Sequence, residues 1–428
     1  MPSRVPLLLL PCVLALSIAC HDRDGGNTTP TQAPAPRHAQ DCRLRYTDPT
    51  KKVEFFAFQD GSGPWTPVTV DNGVYAFKLT QDKGAMAVLR KEVASDRTEL
   101  LVSYRSAGEM AKLKGDEGGH SLRVSGAVHG LRPDERFSIA LNHAASESTQ
   151  DGPGSWTMAE VTPGLNDLLA IQKGATGPRR MFVRRAIDIQ PLATDARIDL
   201  GARGHIDFTG PEAAEVVSGF HFTPSGNPET GHVHQITEQF QTERGAVITL
   251  AEGRFEPQTP MAAPLPLHFA PPALRGTSDR HIVRLSTYRV NRSSQGRSVE
   301  FFTSTPAHVQ LAPPPRMTVP GISQSTSSHA HYLRFRTQCS FDATYNAFSN
   351  LYRQGNRNWR VEVHASYGTG DIHFPDLTSV PGWNQAWALT PGTPTSVHVT
   401  ATGQTWATGL PPEGARRFSA SHEVLVTP

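Results

Sequence analysis

The sequence predicts an all-β chain of tandem β-sandwich domains behind an export segment and a flexible tether, and three observations carry that prediction. Glycine (36) and proline (35) are plentiful among 428 residues of which only 37% are hydrophobic, the profile of a protein built from short strands and many turns. Short runs alternate apolar with polar residues, which is the two-residue period of a half-buried strand. The length calls for about three or four domains of roughly 100 residues each. Charged residues make up 19% and the net charge is +2, falling to +1 when Arg4 leaves with the export segment. A balance so close to zero excludes a global electrostatic attraction to nucleic acid or to an anionic membrane surface.

Residues 1–19 read as a signal peptide. Arg4 precedes an apolar run over residues 5–16, and small residues follow up to Ala19. The run is too short to span a bilayer and is interrupted by Pro6 and Pro11, so it is expected to be cleaved. Leu16-Ser17-Ile18-Ala19-Cys20 resembles a bacterial lipobox, with Ser17 standing where the commonest versions carry Leu. The resemblance implies lipidation of Cys20, contact with the lipid bilayer through that acylated residue, and a place in the cell envelope. The expected address is an outer membrane lipoprotein facing the periplasm or the cell surface. Stable anchoring needs at least two acyl chains, since one gives only marginal residence. The alternatives are an ordinary secretory signal cut elsewhere or a short uncleaved anchor; both also direct the chain out of the cytoplasm. Residues 20–42 then comprise the lipidation candidate and a tether rich in Pro, Thr, Asn and Gly, without apolar periodicity.

The first β unit, residues 43–118, is a small sandwich or barrel. Val53-Glu54-Phe55-Phe56-Ala57-Phe58 alternates before a Gly-rich turn, and Asn72-Gly73 marks a hairpin before Val74-Tyr75-Ala76-Phe77-Lys78-Leu79. The second unit, residues 119–209, begins after the Gly-rich break at residues 115–119 with Ser125-Gly126-Ala127-Val128. It continues through residues 137–141 and the Pro163-Gly164 turn into Leu165-Asn166-Asp167-Leu168-Leu169-Ala170. This order resembles the carboxypeptidase regulatory-like, transthyretin-like β-sandwich, which implies a spacer or binding unit. The third unit, residues 210–315, has strand candidates at 215–223, 235–240, 247–250, 283–290 and 299–303. Its Pro-rich apolar loop at 258–272 is expected to pack across an open sheet end. Pro313-Pro314-Pro315 forms a stiff boundary. The fourth unit, residues 316–428, has strands near 332–337, 359–367 and 397–401, and a distinctive loop over 374–389. The segments at 55–77, 163–170 and 381–389 together resemble uncharacterised multi-domain lipoproteins of myxobacteria, a resemblance that implies location and architecture but no activity.

Five features are candidates for chemistry. Gly226, His232, His234, Glu238 and Gly245 satisfy the first cupin metal motif, and His232, His234 and Glu238 are therefore the candidate ligands for a divalent metal. The second cupin element is missing: His268 and His281 are the nearest later histidines, and neither has its glycine and proline context. The alternative is an exposed polar strand and hairpin. His329-Ala330-His331 repeats the spacing without a nearby carboxylate. Cys42 and Cys339, the thiols left outside the signal and the lipidation site, either pair in the oxidising compartment or stay separate. Trp383 and Trp387 either stack on a ligand such as a polysaccharide or cap a sandwich core. Arg179, Arg180, Arg184 and Arg185 make a local basic run, expected to line a strand edge. The chain carries no nucleophile elbow, phosphate loop or dinucleotide fingerprint. The expectation is a structural, adhesive or ligand-binding role toward a protein or polysaccharide, with no catalysis, no cofactor and no nucleic acid. The competing readings are a carbohydrate-binding lipoprotein and a secreted metal-dependent enzyme with a cupin-like site.

Overall fold

The computed structural model describes residues 39–428 apart from position 49, 117–121, 143–147, 152–153, 191–197, 226–230, 256–264, 290–291, 315–316, 318–320, 327–332, 339–340, 342–343, 368–370, 408 and 427–428. The signal segment, Cys20, the tether to residue 38, Gly226, the 329–331 histidine pair and Cys339 lie outside the described residues. The described chain is almost entirely β, with one four-residue α-helix, Ala107–Met110, and four short 3-10 turns. No described helix is long and apolar enough to cross a membrane.

The main sheet has twelve described strands and draws on three of the four expected units. Its order begins Val247–Phe255, His232–Gln241, Arg280–Arg289, Arg292–Thr303 from the third unit and continues Arg416–Val426, Thr395–Gln404, Ala347–Gln354, Arg357–His364 from the fourth. It ends with Thr98–Ser106, Lys83–Glu92, Lys51–Asp60, Trp65–Pro67 from the first. Neighbours are antiparallel except at one seam, where Arg357–His364 lies parallel to Thr98–Ser106. Thus the segments expected as separate sandwiches at 43–118, 210–315 and 316–428 share a sheet.

Sharing extends to the cores. Lys83–Glu92 is buried on both faces over Ala85, Met86, Ala87, Val88 and Leu89, which is why its sequence runs apolar instead of alternating. Phe56, Met86 and Val88 face a small four-stranded sheet that includes Gln40–Tyr46 and Val74–Leu79, and the free thiol of Cys42 is buried among them. Burial, then the charge of Asp41, pushes that thiol up to about 11. On the other face Phe55, Ala87 and Leu89 join Tyr352, Trp359 and Val399 of the fourth unit in one cluster.

The second unit closes its own sandwich. A five-stranded sheet containing Arg136–Ala140, Gly164–Gly174 and Gly177–Ile189 packs on a sheet centred on Leu122–His129, around Phe137, Trp156, Phe182 and Phe208. Gly126 is required there: a Cβ would sit 2.2 Å from the Gly204 carbonyl oxygen, which also accepts from Trp156 Nε1 at 3.0 Å. The outer face of the five-stranded sheet is apolar too. Leu169, Ile171 and Met181 pack against Phe240, Ile248 and Leu250 of the third unit.

Candidate functional site: a cleft at the open edge of the third unit

In the third unit a three-stranded sheet, Leu265–Phe269, Val217–Pro224 and Val309–Leu311, covers the inner face of the main sheet around Phe222, Ile236, Leu267 and Val283. At one side both layers end among the described residues: Val247–Phe255 is the last described strand of the main sheet and Leu265–Phe269 the last of the small one. The main sheet's edge strand carries a bulge. Glu238 pairs with Ala251 but Gln239 pairs with Thr249, so Leu250 is the extra residue, and a bulge bends and twists its strand. Gly253 allows the walls to meet below, since a Cβ there would lie 2.7 Å from Leu265 Cδ1. The resulting cleft holds about 640 Å³ and is lined by both edge strands, by Ile236 and Glu238, and by Lys173, Thr176, Gly177 and Pro178 at the hairpin of the second unit.

The small sheet's edge needs protection, because an unpaired strand presents backbone donors. Alternate residues 266, 268 and 270 point their amide positions away from Val217–Pro224. Pro266 has no N–H to offer. The His268 N–H donates to Glu238 Oε2 at 2.7 Å, and the Ala270 N–H donates to His281 Nε2 at 3.3 Å. Both acceptors reach across from the main sheet. Glu238 is 1% exposed and His281 not at all.

Burial dominates the chemistry of both. It pushes the Glu238 carboxyl up to about 8, against the His268 N–H bond that favours the carboxylate, so the group is a neutral acid at pH 7. It pulls the His281 imidazole down to about 3, with the Arg275 charge acting the same way; the ring packs between Phe240 and Phe269. His268 is held below the usual histidine range by burial, and its Nδ1 lies 3.9 Å from Glu238 Oε2. Glu238 Oε1 and His268 Nδ1 are buried without a hydrogen-bond partner.

The expected metal triad is corrected by this geometry. His232, His234 and Glu238 occupy one uninterrupted strand, His232–Gln241, so Glu238 is four residues, or about 13 Å, beyond His234. That separation cannot close around one ion. His234 Nδ1 instead bonds the cross-strand Thr287 Oγ1 at 2.9 Å. Among the described residues no three His, Cys, Asp or Glu side chains come together as a metal site. Glu238 does meet a histidine, but it is His268 from the later segment. Sequence reasoning missed Lys173, Thr249 and His268 as companions of Glu238. The apolar, Pro-rich loop at 258–272, expected to cross an open sheet end, was the available signal; its described part, 265–272, is the strand Leu265–Phe269 and the three residues that follow it.

Of the two alternatives for Trp383 and Trp387, stacking on a ligand or capping a core, the packing of the rings matches the second. Trp383 and Trp387 meet edge to face, and both rings pack on Phe55 while Trp383 also contacts Trp359. Trp359 Nε1 donates to the Trp387 carbonyl at 3.2 Å. Both rings are half-buried and pack against the core cluster, using their apolar surface as a cap. The basic run lies on Gly177–Ile189, which pairs with Gly164–Gly174 on one side and, on the other, with Ala213–Glu215 over Arg180–Phe182 only. Arg179 pairs with Glu135 and Arg184 with Glu212, while Arg185 bonds Asp279 at 2.5 Å and lies 3.7 Å from Asp167.

No protein-family model matches this chain, and no curated protein does. Among solved structures, a Ca2+-stabilized adhesin that helps an Antarctic bacterium reach out and bind ice is 10% identical over 92% of this chain and 94% of that one, with a TM-score of 0.18. The FN1-FN3 domains of chicken CNTN1 are 10% identical over 71% of this chain and 99% of theirs, TM-score 0.16. A tetra-tandem repeat from the extending region of a large adhesion protein is 10% identical over 91% and 99%, TM-score 0.16.

Proposed function

We propose that this chain is a non-catalytic, extracytoplasmic binding protein of the cell envelope, held to the membrane by an acylated Cys20 and displaying the cleft at the open edge of its third unit. The observation that carries the binding role is Glu238: a carboxyl 1% exposed, in the wall of a cleft of about 640 Å³, with one oxygen unpartnered. An orphaned buried polar atom costs about 1–3 kcal/mol, and a cleft of that volume is in the range of small-molecule sites. The edge-sealing bond explains Oε2 but gives Oε1 no purpose. A structural or adhesive scaffold suits the shared sheet, which joins three segments of the chain through one run of strands.

The binding role is tested by thermal unfolding of the detergent-purified chain against a chemically mixed small-molecule collection. Stabilisation by some member, absent in a folded Glu238→Leu variant, is the expected result; a collection in which no member depends on Glu238 would sink the reading. Anchoring is tested by mass spectrometry of the mature N-terminus with membrane fractionation, where an unmodified Cys20 in a soluble product overturns the anchor.

A further inference from the structure

Glu238 accepts the His268 N–H through Oε2 at 2.7 Å, so a neutral carboxyl carries its proton on Oε1 and offers a donor there. His268 Nδ1, 3.9 Å from Oε2, is the second unpartnered buried atom of the same wall. With its ring proton on Nε2, it is an acceptor. The carboxyl donor and the imidazole acceptor belong to side chains that approach to 3.9 Å through Oε2, and a ligand group that accepts and donates at a single atom would serve both. A hydroxyl does this; a carboxylate or phosphate only accepts, and an ammonium only donates. An ionic ligand would also be buried against a pair supplying no counter-charge. The charges lining the cleft, Lys173 and Glu252, are of opposite sign and favour neither kind of ion. Ile236 and Leu265 supply an apolar wall, which suits a ring with hydroxyls at its rim and C–H groups on its face.

We infer that the cleft binds a neutral, hydroxyl-rich ligand, a sugar unit, with one hydroxyl seated between Glu238 and His268. The inference rests on the reading of this cleft as a binding site and adds the ligand's chemistry. The test is a saturation-transfer NMR titration of the full chain in detergent with maltose, cellobiose, lactose and diacetylchitobiose, and with glucuronate and glucosamine as charged counterparts. At least one neutral disaccharide is expected to bind saturably, at least tenfold more tightly than either charged sugar. Glu238→Gln, whose amide also accepts from His268 and donates toward the cleft, should retain affinity within threefold. Glu238→Leu and His268→Phe should each lose at least tenfold with unchanged circular dichroism, and His268→Phe decides alone if Glu238→Leu does not fold. Charged sugars binding as well as neutral ones, with the same dependence on Glu238, overturn the ligand class and leave the cleft a binding site. Loss of binding in Glu238→Gln also overturns it, as does an absence of binding by every sugar. If the small-molecule collection likewise yields nothing that depends on Glu238, the binding role falls as well.

Discussion

At position 238 the chain buries a carboxyl and at position 281 an imidazole; the first accepts the N–H of His268 in the edge strand and the second that of Ala270, one residue past its end. Their ionisation opposes folding from opposite sides of the pH scale. Glu238 binds its proton more tightly when folded, rising from 4.5 to about 8, so its neutral form is free of penalty below pH 4.5 and stability is lost as pH climbs toward 8. His281 falls from 6.5 to about 3, so stability is lost as pH drops from 6.5 toward 3. As far as these two groups decide it, stability is greatest near pH 5–6. Glu238→Gln removes only the alkaline loss. In denaturant titrations it should gain about 3 kcal/mol over the parent at pH 7 and almost nothing at pH 4.5; equal gains at both pH values would contradict the assignment. At Gly126 the constraint is steric, with a virtual Cβ 2.2 Å from the Gly204 oxygen. Gly126→Ala should cost about 3 kcal/mol by thermal unfolding, the upper end of ordinary overpacking.

Between elements, the junction of the second and third units is held by buried ions. Asp279 accepts from Arg185 at 2.5 Å, from the Glu243 N–H at 3.0 Å and from the Gly276 N–H at 2.7 Å. Asp167, fully buried, accepts from Arg244 at 3.2 Å and from the N–H of Ala186 at 2.9 Å. Removing one partner strands the others, so Asp279→Ala is expected to cost about 3–5 kcal/mol in urea unfolding. A loss under 1 kcal/mol would show the junction to be a solvated contact. Individual strands were legible in the sequence wherever one face is buried: Val74–Leu79 alternates and is found doing so. So was Gly164–Gly174, although its apolar run over Leu168, Leu169, Ala170 and Ile171 records burial on both faces. Partner choice was not legible, because alternation states which face is buried and says nothing about which strand lies alongside. That is why the boundaries near 118 and 315 did not disclose the shared sheet. Glu238 was found through a motif whose ligand geometry the straight strand forbids, while His268 owes its place to the packing of two sheets and leaves no local spacing to read.

For the whole molecule, the seam between Thr98–Ser106 and Arg357–His364 decides what can stand alone. A chain stopped at residue 315 keeps the first unit but loses the fourth, exposing the edge of Thr98–Ser106 and the cluster around Phe55, Ala87 and Leu89. Such a truncation is expected to aggregate, whereas residues 119–216, with the Phe137 and Trp156 core of their own, should fold. The fragment should bind a hydrophobic dye through Leu169, Ile171 and Met181, which the third unit normally covers. Cooperative unfolding of the 1–315 chain would show the first unit to be independent. The same seam sets a schedule for synthesis. Thr98 and Arg357 are 357 − 98 = 259 positions apart, and at about 5–20 residues per second the earlier strand waits roughly 10–50 s for its neighbour to be made. Through that interval the first unit has no fourth-unit strand on its open edge, so a chain taken up for export before residue 357 is made would carry no completed main sheet to be pulled apart.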